Sequence, residues 1–245
     1  MKYKIFVLSL ALLASSCVVI KLNADLISVR TAEFDMERGS LLSFSNSRGD
    51  LEVTEWESDH ILIEASIYGD SSRGVPEGLE ILFEQTDDNL LSSVTYPGRT
   101  FFGSVDLAVK IPFDMGYTIE YSCTNGETFV KGDVTANVES TNGDIHVEVS
   151  SAQRISTTNG DITALLLMQE DAVAIETTNG DITVELPDHV GLEVETTNGE
   201  IYVDGYEITN GVSFDGQWIA RIETTNGDVF ISRTGYSRED DQTIR

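Results

Sequence analysis

The chain has 245 residues, of which 42 are acidic and 15 basic, and its formal net charge is −27 at pH 7. This excess of carboxylates argues against a nucleic-acid-binding role, because phosphate backbones are bound by positive surfaces. Two cysteines are too few for a disulfide framework, so any folded core must be held by the burial of apolar side chains.

Residues 1–16 have the features of a signal peptide. Lys2 and Lys4 precede an apolar run over residues 5–14, and an Ala-Ser-Ser segment then leads to Cys17. This segment resembles the lipobox of bacterial lipoproteins, although it carries alanine where leucine is common. The resemblance implies cleavage before Cys17 and acylation of that residue. A plain secretory signal and an uncleaved anchor are the alternatives. Cleavage would leave 13 basic and 42 acidic residues, a net charge of −29.

Residues 17–28 are expected to form the anchor and a short linker, and residues 29–120 an N-terminal β region. Alternating apolar residues predict strands at 61–67, 79–83, 90–95 and 105–111. A degenerate repeat surrounds Gly49, where Arg48 stands in the place of asparagine. This half of the chain is therefore predicted to be β structure with weak internal repetition.

Residues 121–234 contain a repeat that is much clearer than any in the first half. Seven Asn-Gly pairs occur at short intervals, which is typical of repeat architectures. Alternating apolar and polar residues flank each pair, whereas no stretch keeps the 3.6-residue spacing of a helix. The pairs are Asn125-Gly126, Asn142-Gly143, Asn159-Gly160, Asn179-Gly180, Asn198-Gly199, Asn210-Gly211 and Asn226-Gly227. An all-β chain is predicted, with a polar tail at residues 235–245.

Each repeat reads as a strand, an Asn-Gly turn and a second strand. In the copy around Gly180, the two-residue period places Ile175, Thr177, Ile182 and Val184 on one inward face. Two architectures bury that face: a β-solenoid in which like strands stack on like, and a meander of antiparallel hairpins. Periodicity alone does not separate them. The near-identity of successive turns favours the β-solenoid, with ladders of Asn and Thr side chains along its axis.

The order of these segments resembles the bacterial putative-adhesin family, a domain of unknown function with repeated Asn-Gly-Asp-Ile units. The resemblance rests on three segments: residues 49–56, residues 105–112, and the Thr-Thr-Asn-Gly-Asp-Ile series. It covers most of the mature chain. It implies a β-solenoid-like fold at the cell envelope, often behind a lipid or membrane anchor, and it supplies no catalytic residues.

One acidic residue follows each of five turns. If the repeats stack, these acids form a column that is a candidate face for divalent cations or a basic partner. The alternative is that a short acidic side chain simply suits the turn by bonding nearby backbone N–H groups. One acid per coil offers few ligands for a calcium site, which favours the alternative. The residues are Asp144, Asp161, Asp181, Glu200 and Asp228.

No catalytic motif, metal-ligand spacing or cofactor motif stands out, so we expect no enzyme, no metal and no cofactor. The leading hypothesis is a non-catalytic, lipid-anchored adhesion-like or interaction scaffold of the cell envelope. It would reach the membrane through its N-terminal lipid and bind an unidentified envelope or surface partner. An envelope-stress sensor or regulatory domain that binds cationic peptides, and a cryptic carbohydrate-active β-helix enzyme, are the alternatives. Expected locations are the outer membrane or periplasm of a Gram-negative cell, or the surface of a Gram-positive one.

Overall fold

The computed structural model of the chain describes residues 24–98, 103–208 and 212–234, which form nineteen strands joined by turns and loops. The described residues contain no helix long and apolar enough to span a membrane. The first strands are β1 (Asp25–Phe34), β2 (Leu41–Asn46), β3 (Leu51–Trp56), β4 (Ile61–Gly69), β5 (Glu80–Gln85), β6 (Asn89–Thr95), β7 (Ser104–Pro112) and β8 (Tyr117–Cys123). The remaining strands are β9 (Thr128–Glu139), β10 (Ile145–Asn159), β11 (Ile162–Leu166), β12 (Val173–Asn179), β13 (Ile182–Pro187), β14 (Val190–Asn198), β15 (Ile201–Val203), β16 (Tyr206–Ile208), β17 (Val212–Phe214), β18 (Trp218–Asn226) and β19 (Val229–Thr234).

Most strands belong to two parallel sheets, wall A and wall B, which meet at the corner made by the Asn-Gly turns. Wall A holds the strands before the turns, in the spatial order β6, β2, β8, the second halves of β9 and β10, β12, β18 and β14. Wall B holds the strands after the turns, in the order β7, β3, the first halves of β9 and β10, β11, β13, β19 and β15. One strand from each wall makes one coil.

The register stacks equivalent residues of successive coils on one another. Thr177 pairs with Thr157 on one side and with Thr224 on the other. An antiparallel hairpin would instead pair Thr177 with Ile182 across the turn, but Ile182 pairs with its own equivalents in β11 and β19. The β-solenoid prediction is therefore confirmed, and the hairpin-meander alternative is wrong for the Asn-Gly turns.

The core lies between the two walls and is filled by the side chains that alternate inward. Ile175, Ile182 and Val184 are completely buried, and the inward Thr177 is 6% exposed, as the two-residue period predicts. Burying a Val or Ile side chain contributes about 1.5–3 kcal/mol, and every coil repeats this burial. Apolar burial along the whole stack therefore holds the fold, without a disulfide among the described residues.

The order of coils in space differs from their order in the chain at both ends. The first coil, β2 with β3, lies between the coil of β6 and β7 and the coil that starts with β8. The last coil, β18 with β19, lies between the coil of β12 and β13 and the coil of β14 and β15. Each chain end thus contributes a penultimate coil, and an internal segment forms the outermost one.

Antiparallel strands cover the outermost coil of each wall. At the N-terminal end β5 pairs with β6, while β4 pairs with β7 and carries β1 on its other side. At the C-terminal end β17 pairs with β14, and β16 pairs with β15. Such additions protect a parallel edge from pairing with other chains, because they satisfy its free backbone groups.

Two of the expected segment boundaries fall within strands of the structure. β1 begins at Asp25, inside the expected linker of residues 17–28, and most of its side chains are exposed on both faces. A strand without a buried face shows no clear alternation, so β1 could not be recognised from the apolar pattern. β8 crosses the boundary at residues 120 and 121, so the two β regions are continuous. The expected signal peptide (1–16) and polar tail (235–245) lie outside the described residues.

Candidate functional site

The Asn side chains of the turns form a hydrogen-bonded ladder along the corner. From Asn142 onward, each amide nitrogen donates to the amide oxygen of the Asn on a neighbouring coil. The donor–acceptor distances are 3.0 Å for Asn142 to Asn125, 2.8 Å for Asn159 to Asn142, 2.8 Å for Asn179 to Asn159, 2.8 Å for Asn226 to Asn179 and 2.9 Å for Asn198 to Asn226. This ladder explains why asparagine recurs at every turn. In its order Asn226 lies between Asn179 and Asn198, so the last coil of the chain is again inserted beside the coil of β12 and β13.

Glycine is required in the turn because adjacent coils nearly touch there. A Cβ atom on Gly143, whose φ is +143°, would lie 2.0 Å from the carbonyl oxygen of Gly126. The Asn of each described pair keeps a negative φ, since Asp114 and Asp204 alone among the described non-glycine residues have positive values. The pair therefore turns a corner between sheets and does not close a tight hairpin of the type in which both central residues have positive φ.

The inward Thr of each repeat satisfies the glycine carbonyl of a neighbouring coil. The Thr177 hydroxyl donates to the Gly160 oxygen at 3.1 Å, and Thr224 repeats the bond to Gly180 at 3.2 Å. Cys123 occupies the same inward position, and burial raises the pKa of its thiol. The hydrogen bond to the glycine carbonyl explains how a threonine hydroxyl can be buried at this inward position, since a buried polar group needs a partner.

The five acids singled out in the sequence lie together in one column, the corner acid column. Each Asp carboxylate accepts the backbone N–H of the equivalent residue in the next coil. The distances are 2.9 Å for Asp161 N to Asp144, 2.8 Å for Asp181 N to Asp161, 2.8 Å for Asp228 N to Asp181 and 2.9 Å for Glu200 N to Asp228. These bonds give the acids a structural use of the kind proposed for turn residues. The described residues contain no group of three or more acidic, His or Cys side chains arranged for a metal ion.

The column extends further than the sequence indicated. Asp50 accepts the backbone N–H of Glu127 at 2.8 Å, and Asp106 accepts that of Asp50 at 3.1 Å. Burial raises the pKa of the Asp106 carboxyl. Asp50 follows Arg48-Gly49 of the degenerate repeat, whereas no glycine directly precedes Asp106, so only the stacking order reveals that Asp106 belongs to the column.

A groove of about 480 Å³ runs across the outer face of wall A. We call it the wall A groove; its lining includes the exposed Thr158, Thr178, Thr197 and Thr225, together with Glu176, Glu223, Glu195 and Arg154. Glu223 lies between the other two glutamates, since β18 lies between β12 and β14. Three glutamates on three adjacent strands are therefore immediate neighbours.

Two arginines offset part of this charge. Arg154 contacts Glu139 at 3.1 Å and Glu176 at 2.7 Å, which are separated by the strand that carries Ser156. Arg221 contacts Glu223 at 2.5 Å. Exposed pairs of this kind contribute about 0–1 kcal/mol each. The wall A groove therefore remains an acidic surface lined by hydroxyl groups. Cys17, the predicted lipidation residue, lies outside the described residues.

Solved structures of other proteins resemble this one to different degrees. A putative cell adhesion protein from Clostridium sporogenes ATCC 15579 has a TM-score of 0.53 and 15% identity, with 84% of this chain and 100% of that chain covered. A putative adhesin from Bacteroides fragilis NCTC 9343 has a TM-score of 0.43 and 14% identity, with 83% and 97% covered. No curated protein sequence matches the chain at a significant level. The model of the Toastrack DUF4097 family matches residues 42–232, which confirms the resemblance drawn from the repeats: the chain belongs to this family.

Proposed function

We propose that the protein is a non-catalytic scaffold of the cell envelope, held by a lipid on Cys17, which binds partners through the outer faces of its walls. The carrying observation is that the repeated Asn, Gly, inward Thr and corner acids are all engaged between coils. The outer faces of the two walls, which form a long and regular surface, are therefore available for recognition. The similar fold of a putative cell adhesion protein supports the proposal.

The absence of a distinguished coil argues for binding and against catalysis. A glycoside hydrolase needs two carboxyl groups in different environments, one acidic and one basic in function. In the corner acid column, Asp161 and Asp181 each accept a hydrogen bond from the backbone N–H of the equivalent residue in the next coil, at 2.8 Å. Asp161 and Asp181 therefore have the same structural role, and neither is set apart as a general acid or a general base.

The lipid anchor would hold the folded region close to the membrane. Asp25, where β1 begins, lies 8 positions after Cys17 (25 − 17). A fully extended segment of that length spans at most about 29 Å. The negative charge of the chain would repel anionic lipid, so we expect the walls to face the surrounding medium.

Palmitate labelling and a cell attachment assay test the anchored scaffold together. Wild-type protein should incorporate labelled palmitate and remain with the membrane fraction, while Cys17→Ser should be released unlabelled. Cells that carry the wild type should attach to an envelope-coated surface more strongly than cells that carry Cys17→Ser. Label that survives Cys17→Ser, or equal attachment of the two strains, would contradict the proposal.

A second candidate function, the binding of cationic peptides by a sensor domain, is favoured by the wall A groove. Glu176, Glu223 and Glu195 lie on adjacent strands, where like charges repel and a basic ligand would relieve the repulsion. A Lys-rich peptide should bind the wild type more weakly as salt rises. Glu223→Gln should weaken binding, and Glu185→Gln on wall B serves as the matched control. Equal loss in both variants would show that net charge alone attracts the peptide.

A further inference from the structure

A column of side chains on the outer face of wall B combines aromatic rings with threonines. In spatial order the column is Phe129, His146, Thr163, Thr183, Phe230 and Tyr202. Two threonines therefore separate one pair of rings from the other. The column lies beside the corner acid column, because Asp161 and Asp181 are two residues before Thr163 and Thr183 on the same outer face.

Each pair of rings is stacked face to face along the axis of the solenoid. Phe129 and His146 have centroids 5.2 Å apart and planes inclined by 1°. Tyr202 and Phe230 have centroids 5.2 Å apart and planes inclined by 6°. Stacking uses one face of each ring. The strand order places the two threonines on the side of His146 away from Phe129 and on the side of Phe230 away from Tyr202, so the unstacked ring faces border the threonine strands.

The space between these faces is a slot with a polar floor. His146 and Phe230 are three strand steps apart, which corresponds to about 14 Å. The floor carries the exposed Thr163 and Thr183, and Phe230 itself is 39% exposed. A shallow cavity of about 270 Å³ is lined by Thr183, Phe230, Tyr202 and Ser232 at one end of the slot. The slot is wider than a single ring and open to solvent.

The flanks of the slot supply further hydrogen-bond acceptors. Asp161 and Asp181 each use one carboxylate oxygen, Oδ1, for the backbone N–H of the next coil. The second oxygen of each carboxylate is available to accept bonds from a ligand. Leu165 and Glu185 lie on the opposite flank, since they pair with each other in the adjacent outward position.

We propose that this slot, between the ring faces of His146 and Phe230, binds a neutral oligosaccharide. Sugar rings present apolar C–H faces that pack on aromatic rings, and hydroxyl groups that donate to carboxylates and threonines. The acids on both flanks disfavour uronic or sialic acid polymers, because desolvated like charges repel. The inference deepens the proposed scaffold function by naming a ligand class and a surface distinct from the wall A groove.

Affinity electrophoresis of the full mature chain tests the proposal. Native gels would contain a soluble neutral polysaccharide, in separate runs β-glucan, galactomannan or glycol chitin, or the anionic polymer polygalacturonate. Migration of the wild type should be retarded by at least one neutral polymer and not by polygalacturonate. Phe230→Ala should lower the affinity about threefold to tenfold, and Phe230→Tyr should restore it.

Phe113→Ala is the matched control, because Phe113 is a 51% exposed ring outside the slot. It should leave retardation unchanged, and thermal melts should show that every variant is folded. Equal retardation of Phe230→Ala and Phe113→Ala, preference for polygalacturonate, or no retardation in any neutral gel would overturn the proposal. If cells carrying Phe230→Ala still attach as the wild type does, the slot is refuted while the scaffold function stands.

Discussion

At the residue scale, the repeat Thr-Thr-Asn-Gly-Asp is a set of contacts between coils. The first Thr bonds a glycine carbonyl, the Asn bonds another Asn, and the Asp bonds a backbone N–H, as Thr177, Asn179 and Asp161 show. Each of these contacts contributes about 0.5–1.5 kcal/mol, and more where the acceptor is charged. Their repetition explains why the sequence of the turn varies so little between copies.

Replacing Gly143 with alanine should be severely destabilising. The new Cβ would lie 2.0 Å from the Gly126 oxygen, so two coils would have to separate locally. We expect a loss of about 3 kcal/mol or more in the free energy of unfolding, measured by urea denaturation. Gly39→Ala is the control, because Gly39 has a φ of +78° but no atom within 4 Å of the added Cβ. That variant should lose only about 1–2 kcal/mol from its backbone conformation. Equal losses would show that backbone conformation, not close approach, selects glycine.

At the element scale, the strands of the repeats and their faces could be predicted from the sequence, but the exposed β1 and the spatial order of the coils could not. Alternation around Gly180 gave the inward set correctly, since burial follows the two-residue period. No local feature distinguishes Asn198 from Asn226 as the neighbour of Asn179, because the copies are nearly identical. The insertion of the end coils is therefore visible only in the strand pairing of the structure.

The same limit applied to the candidate sites. The corner acid column follows from equivalent positions in the repeats, whereas the slot on wall B depends on coil order. Tyr202 and Phe230 stack although they are 28 residues apart, and Phe230 adjoins Thr183 because β19 pairs with β13. Sequential stacking would have placed Tyr202 beside Thr183, so Tyr202 and not Phe230 would have been assigned as the ring that borders the slot.

Removing the outermost C-terminal coil should be tolerated better than removing the last coil in the chain. His189 and Gln217 are already joined by a hydrogen bond of 3.1 Å, so a short Gly-Ser linker can replace residues 190–216. That variant should keep β18 paired with β12 and melt cooperatively. Truncation after Gln217 removes the parallel neighbours of β14 and β15, so limited proteolysis should cut within residues 190–208. Resistance of that region in the truncated chain would contradict the inserted order.

At the scale of the whole molecule, a charge of −27 sits on a fold that stacks acids in columns. Neighbouring coils are about 4.8 Å apart, and like charges on adjacent strands destabilise the sheet. Backbone bonds to Asp144 and Asp181, and the contacts of Arg154, offset part of this cost. The fold therefore tolerates its negative charge because apolar side chains are buried between the walls and many surface acids have hydrogen-bond or ion-pair partners.

Salt should raise the melting temperature, because mobile ions screen the repulsion between exposed acids. We expect the midpoint in 0.5 M NaCl to exceed that in 0.02 M NaCl by several degrees. Calcium chloride at matched ionic strength should give no further rise, since one carboxylate per coil offers few ligands for a calcium site. A calcium-specific increase that EDTA reverses would instead establish the corner acid column as a cation site.

The central claim is that stacked coils, with the last one inserted beside β12, create the outer surfaces of this protein. Engineered disulfides test it most directly. Thr178 and Thr225 adjoin residues that pair across β12 and β18, so their Cα atoms should be about 5 Å apart. Disulfides need about 4.4–6.8 Å. Thr178→Cys with Thr225→Cys should therefore crosslink on mild oxidation, while Thr178→Cys with Thr197→Cys, two strands apart, should not. Crosslinking of the second pair alone would contradict the account.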